Sequence, residues 1–247
     1  MQEFYVIIDK IPTRFNDRNN TLPDTTLKIN EMFETIQGEG VQTGVPSVFI
    51  RLQGCPVGCA WCDTKHTWAL DDAFLTTADK VLNKTAESEH HFAADPEALI
   101  ALIRKRGYTA THIVITGGEP CMYDLFKLTN TLHENGFTTQ IETSGTFPVL
   151  CDERTWVTVS PKVDMKGGYE VLSEALVRAN EIKHPVAMEK HIDDLDGLLE
   201  RIEGKAPPYI CLQPISQQAR ATELAIKTCI ERNWRLSLQT HKYIGIE

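Results

Sequence analysis

The chain has 247 residues, 42% hydrophobic and 24% charged, which is enough apolar material for an α/β domain, with no run near the roughly 20 apolar residues of a membrane span. With 25 Lys and Arg against 34 Asp and Glu, the formal charge is −9, which argues against a general binder of nucleic acid or anionic membrane. Seven cysteines, an odd count in a long chain, argue against a disulfide scaffold and point to a cytoplasmic protein.

In chain order, residues 1–28 read as an N-terminal extension or flexible arm. A short apolar stretch at 4–11 has strand character, but Asp9 and Lys10 break it too early for a secretory signal. Asn16, Asp17, Arg18, Asn19 and Asn20, then Pro23, make the following stretch a linker. The compact domain is expected over 29–247. Its predicted strands are 47–52, 112–116, 139–142, 156–160, 180–183, 209–212 and 235–238, rich in Val, Ile and aromatic residues and ending in turn formers. Predicted helices are 96–106, 125–135, 168–177, 192–201 and 219–232. In the first of these, Leu99, Leu102 and Ile103 fall on one face. Residues 71–95 are polar and read as an insertion or mobile loop. Strand and helix in alternation predict an α/β fold with a mainly parallel sheet.

The unusual polar motifs all follow predicted strands: Gln53-Gly54-Cys55, Thr116-Gly117-Gly118-Glu119-Pro120, Glu142-Thr143-Ser144-Gly145, Ser160-Pro161-Lys162 and Gln213-Pro214-Ile215-Ser216. In parallel α/β folds those strand ends share one face, so the motifs are expected to build one site. The densest is Cys55-x3-Cys59-x2-Cys62, where Gly54 and Gly58 let a tight loop fold back. Three thiolates are one short of a fully ligated iron–sulfur cluster, which leaves one iron open to a small molecule. The competing readings are three core cysteines, or a zinc site completed by Cys121.

The cysteine spacing resembles the signature of radical S-adenosylmethionine enzymes, and Thr116–Gly117–Gly118–Glu119–Pro120 is similar to their GGEP motif. The resemblance implies a partial (β/α) barrel and a [4Fe-4S] cluster on Cys55, Cys59 and Cys62, with S-adenosylmethionine on the open iron and split to a 5′-deoxyadenosyl radical. More narrowly, Asn30-Glu31-Met32-Phe33, Gln37-Gly38-Glu39-Gly40, Phe49-Ile50-Arg51-Leu52, Cys62-Asp63-Thr64 and Gln239-Thr240-His241-Lys242 look like the 7-carboxy-7-deazaguanine synthase family. That family contracts the ring of 6-carboxy-5,6,7,8-tetrahydropterin to 7-carboxy-7-deazaguanine and ammonia, on the way to queuosine and related deazapurines.

Residue by residue, the resemblance implies cofactor contacts at Trp61, Cys62, Asp63, Gly118, Ser160, Pro161 and Lys162, extending to Gln213, Pro214, Ile215 and Ser216. It implies Mg2+ on Thr64, whose plainer reading is a helix cap. It implies pterin contacts at Ile36, Gln37, Gly38 and Thr116, with Arg51 forking onto the substrate carboxylate. Glu142 reads either as a partner for the guanidine-like edge of a pterin or as the ion-pair partner of a lysine, and His241 as structural. No acid–base residue is assigned, because the cofactor carries the chemistry. Further implications are an electron donor such as flavodoxin and a homodimer. The alternatives are a glycyl-radical-enzyme activase, which shares the cysteine spacing, and a metal-binding regulatory protein without turnover.

Overall fold

The computed structural model describes residues 26–202, 204–205 and 209–246, so most of the expected N-terminal extension lies outside the described residues. The strands are β1 (Leu27–Ile36), β2 (Pro46–Leu52), β3 (Phe92–Ala94), β4 (His112–Gly117), β5 (Thr138–Thr143), β6 (Trp156–Val159), β7 (Glu181–Val186), β8 (Tyr209–Pro214) and β9 (Arg235–Leu236). The helices are α1 (Ala78–Leu82), α2 (Pro96–Arg106), α3 (Phe126–Glu134), α4 (Ser173–Arg178), α5 (Glu189–Glu200), α6 (Ala219–Arg232) and α7 (Thr240–Ile244). All the strands form one sheet in the order β3-β1-β2-β4-β5-β6-β7-β8-β9. From β2 to β9 every pairing is parallel, and those strands are the seven expected from the sequence.

The sequence reading missed β1 and β3, which pair antiparallel at one edge. A β-bulge between Ile29 and Glu31 sets Asn30 and Glu31 side by side as polar neighbours and breaks the period-two pattern. Leu27, expected in the extension, is buried in β1, so the sheet begins two residues before the predicted domain start. The 71–95 segment is not a bare loop. Asp71 caps a 3-10 turn over Asp72–Phe74, Thr77 caps α1, and Val81, Phe92 and Ala94 anchor the segment in the core. The helix expected from 168 begins at Ser173, after the turn-forming Gly167 and Gly168.

Strands buried in a parallel sheet are usually apolar on both faces. Here the two faces differ. Ile50, Leu52, Ile113, Ile115, Ile141, Val157, Val159, Ile182 and Leu212 pack outward against Leu99 and Ile103 of α2, Leu128 and Leu132 of α3, Leu195 of α5 and Ala225 of α6. Alternate positions put Arg51, Thr116, Gln140, Glu142, Thr158, Glu181 and Lys183 on the inner face of the partial barrel. After β1, residues 37–41 cross that inner face. Gly40 N donates to Ser237 Oγ at 2.9 Å, and Thr240 N donates to Gly38 O at 2.9 Å. Among the described residues no helix is long and apolar enough to cross a membrane.

Candidate active site

A cavity of about 300 Å³ opens at the C-terminal ends of the parallel strands and takes its walls from the loops after β2, β4, β5, β6 and β8. The loop after β2 is fixed from within by Gln53, which is fully buried. Its Nε2 donates to Ala69 O at 2.6 Å and His66 O at 3.1 Å, and its Oε1 accepts from Asn30 Nδ2 at 2.7 Å. Gly54 N and Cys55 N donate to Thr67 O and Trp68 O, and the Tyr123 hydroxyl donates to Gln53 O at 2.7 Å. The loop after β4 docks against this one backbone to backbone. Gly118 N donates to Leu52 O at 2.9 Å and Glu119 N to Gly54 O at 2.8 Å, and a Cβ at residue 118 would overlap the Gly54 carbonyl oxygen.

Cys55, Cys59 and Cys62 all line the cavity as free thiols. Trp68 Nε1 donates to Cys62 Sγ at 3.3 Å, and Thr64 Oγ1 lies 3.7 Å from the same sulfur. Burial pushes the Cys55 and Cys59 thiols up, and the nearby Glu119 and the neighbouring cysteines add to the effect. Three thiolates there are costly unless a cationic group binds them, which suits an iron–sulfur cluster. Among the described residues no three His, Cys, Asp or Glu side chains are placed to share one ion. Cys121, the fourth ligand of the zinc reading, is buried in the hydrophobic core and is not part of the cavity wall.

Glu119 is buried. Thr143 Oγ1 donates to it at 2.6 Å, Ser144 N at 2.8 Å and Cys121 N at 2.9 Å, and the Ser144 hydroxyl donates as well. It therefore ties the loop after β4 to the loop after β5.

The inner-face wall carries charge. Lys183 Nζ lies 2.6 Å from Glu39 Oε2 and 2.8 Å from Glu142 Oε2. Gln140 Nε2 donates to Glu142 Oε1 at 2.9 Å, Gln37 Nε2 reaches Gln140 Oε1 at 3.3 Å, and Gln239 Nε2 donates to Glu39 Oε1 at 2.8 Å. Burial pushes Glu142 up to about 7, with Lys183 opposing. Burial acts the same way on Glu39, but Lys183 and Gln239 overcome it and hold Glu39 at about 2. Lys183 is raised by its two carboxylates in spite of burial. Glu142 therefore pairs with a lysine and also lines the cavity.

The cavity wall brings together Cys55, Cys59, Cys62, Trp61, Asp63, Thr64, Thr116, Gly118, Ser160, Lys162, Gln213, Pro214, Ile215 and Ser216. Thr64 sits at the cap position of the short Lys65–Thr67 turn, yet its hydroxyl makes no cap bond. Lys162 Nζ donates to Ser160 Oγ at 2.6 Å, and burial draws it below the ordinary lysine range while Cys59 opposes. Pro161 lies outside the wall. Gln37 stands behind the wall through Gln140 and Glu142, and Gly38 is held by Thr240. Ile36 pairs with Pro46 at the opposite end of the parallel strands. Arg51 lies beside the wall, in register with Thr116, and its Nε donates to Glu31 Oε2 at 2.7 Å. Glu39, Lys183, Trp68, Gln239 and Lys242 join the wall without having been assigned from the sequence. A signal for Lys183 was present: Glu181 and Lys183 flank Ile182 in a strand that a parallel sheet would bury on both faces.

Residues 49–162 match the Radical SAM superfamily. The chain is 62% identical over 218 residues to 7-carboxy-7-deazaguanine synthase of Escherichia coli (strain K12), covering 88% of this chain and 98% of the relative. The chain belongs to the 7-carboxy-7-deazaguanine synthase family. A member from Buchnera aphidicola is 46% identical over the same share of each chain. The crystal structure of QueE from Escherichia coli superposes with a TM-score of 0.85 at 61% identity, covering 87% of this chain and 95% of that one. Radical SAM membership implies a [4Fe-4S] cluster and S-adenosylmethionine, and the three-thiol loop fits them.

Proposed function

We propose that the protein converts 6-carboxy-5,6,7,8-tetrahydropterin into 7-carboxy-7-deazaguanine and ammonia, as a radical S-adenosylmethionine lyase of queuosine and deazapurine biosynthesis. One observation carries this reading: the three-cysteine loop, the Gly117–Gly118 backbone and the buried Glu39–Lys183–Glu142 wall meet on one cavity. The cysteine end suits a cluster and a sulfonium cofactor. The charged end suits a heterocycle whose edge alternates donors and acceptors.

When bound, the cluster and S-adenosylmethionine supply hydrogen-atom transfer at carbon. The chain's own residues hold and shield. Cys55, Cys59 and Cys62 would bind the cluster. Trp61, Asp63, Gly118, Ser160 and Lys162 would contact S-adenosylmethionine, with Gln213, Pro214, Ile215 and Ser216 closing over it. Thr64, whose hydroxyl is not spent on a cap, would offer oxygen to Mg2+, a hard cation that prefers such ligands. Thr116, Gln37 and Gly38 belong to the pterin side, and Arg51 to its carboxylate, while Ile36, at the opposite strand end, is not part of it. Glu142 and Lys183 fix the inner wall in one arrangement, so a bound ring meets an ordered set of partners. The same family reading includes a flavodoxin-type electron donor, a homodimer and a cytoplasmic setting.

The test is anaerobic reconstitution with iron and sulfide, followed by reductant, S-adenosylmethionine, Mg2+ and 6-carboxy-5,6,7,8-tetrahydropterin, with mass spectrometry for 7-carboxy-7-deazaguanine. Product supports the whole reading. 5′-Deoxyadenosine without product leaves the radical chemistry and removes the pterin. Neither compound from cluster-loaded protein removes both.

A further inference from the structure

Arg51, beside the cavity wall and in register with Thr116, has one edge of its guanidinium already engaged. Its Nε is held by Glu31 Oε2 at 2.7 Å, and its guanidinium carbon stands 6.0 Å from the centre of the Phe33 ring, which itself stacks on Phe49 at 5.5 Å. The two terminal nitrogens carry no protein hydrogen bond among the described residues. Glu31 faces Arg51 because the β-bulge between Ile29 and Glu31 sets that register.

Glu31 is shared. Lys84 Nζ lies 3.3 Å and His66 Nε2 3.6 Å from its Oε1. Lys84 Nζ also donates to Asn30 Oδ1 at 2.7 Å, and Asn30 Nδ2 donates to Gln53 Oε1 at 2.7 Å. A continuous chain of polar contacts thus runs from Gln53, at the root of the cysteine loop, through Asn30, Lys84 and Glu31 to Arg51. Arg51 and Lys84 against Glu31 leave one positive charge in excess. Glu87 faces the other side of His66 at 3.4 Å, but its side chain is 72% exposed and well screened. Burial raises Glu31, yet His66, Arg51 and Lys84 together hold it at about 2, so it remains an anion at neutral pH.

We propose that Glu31 is a positioning residue: it grips one edge of Arg51 so that the other edge is aimed at a carboxylate ligand, while Lys84, from the 71–95 segment, keeps that end of the site positive. The proposal rests on the reading of Arg51 as the carboxylate partner. It adds that β1 and the 71–95 segment set selectivity for a carboxylated heterocycle over a neutral one. A plain ion pair that only ties β1 to β2 would strengthen the fold without touching that selectivity.

The test compares wild type, Glu31→Gln, Arg51→Ala and the double variant, all cluster-loaded. Steady-state kinetics is read with the carboxylated pterin, and calorimetry with 7-carboxy-7-deazaguanine and its neutral 7-cyano analogue. Glu31→Gln is expected to raise KM about 10-fold with kcat nearly unchanged, because a loosened guanidinium loses orientation. Affinity for the carboxylate should fall by a similar factor and affinity for the nitrile should not. In the Arg51→Ala background Glu31→Gln should add nothing. Glu31→Asp, which keeps the charge, should fall between, and serves if the amide variant does not hold its cluster. An unchanged KM, an equal loss for carboxylate and nitrile, or the same loss without Arg51 would overturn the proposal. No turnover by wild type would remove the underlying reading and this one together, whereas normal wild-type turnover with an unaffected Glu31→Gln removes only this one.

Discussion

A methyl group at residue 118 has nowhere to go, because the Gly54 carbonyl that it would strike is backbone already fixed by its own amide's bond to Thr67 O. Gly118→Ala is therefore expected to lose about 2 kcal/mol in urea unfolding and to hold less iron after reconstitution. Lys183 poses the opposite problem, of an interaction removed rather than a group added. Lys183→Met leaves Glu39 and Glu142 buried without their cation and is expected to cost about 4 kcal/mol, read as a fall in the urea midpoint. Adding Glu39→Gln and Glu142→Gln should return much of that loss, since the uncompensated charges go with them. At this scale legibility followed sequence distance. Cys55, Cys59 and Cys62 were readable because one loop holds all three. Lys183 and Glu39, 144 residues apart, meet only when the sheet curls. Pairing of that kind leaves no local pattern, so the Gln37-Gly38-Glu39-Gly40 motif carries no sign of the partner of Glu39.

Elements were legible where their period was clean. Apart from the two-residue β9, the parallel strands carry Val, Ile or Leu on the outward face, and α2 announces itself with Asp95 as cap and Pro96 at its first turn. β1 was hidden by its own bulge, and β3 by having only three residues. The 71–95 segment read as a loop because its polar residues outnumber a few deep anchors. One of those anchors, Phe92, is 2% exposed, and Phe92→Ala is expected to cost about 4 kcal/mol by thermal or urea unfolding. If the segment were a loose insertion, the same change would leave the midpoint where it was.

For the molecule as a whole, two buried carboxylates pull stability in opposite directions with pH. Glu142 has a folded value of about 7 against 4.5 unfolded, so the folded state holds the proton more tightly. Its contribution is full below pH 4.5 and is lost as pH rises to about 7. Glu39 sits at about 2, so its contribution is full above 4.5 and is lost only as pH falls towards 2. Urea midpoints across the upper window should show a smaller decline in Glu142→Gln than in wild type. An unchanged slope would mean that Glu142 is ionised throughout.

The segment at 37–41 is fastened to Ser237 and Thr240, partners that come roughly two hundred residues later. On a ribosome, the cysteine loop and the strands behind it emerge long before those partners do. The inner wall of the cavity therefore cannot be completed until residues 237–240 have been made, and iron delivered before then would meet a half-built, water-filled pocket. Cluster loading in a cell should accordingly follow synthesis of Ser237 and Thr240, and Ser237→Ala with Thr240→Ala should harm cofactor retention out of proportion to the few atoms removed.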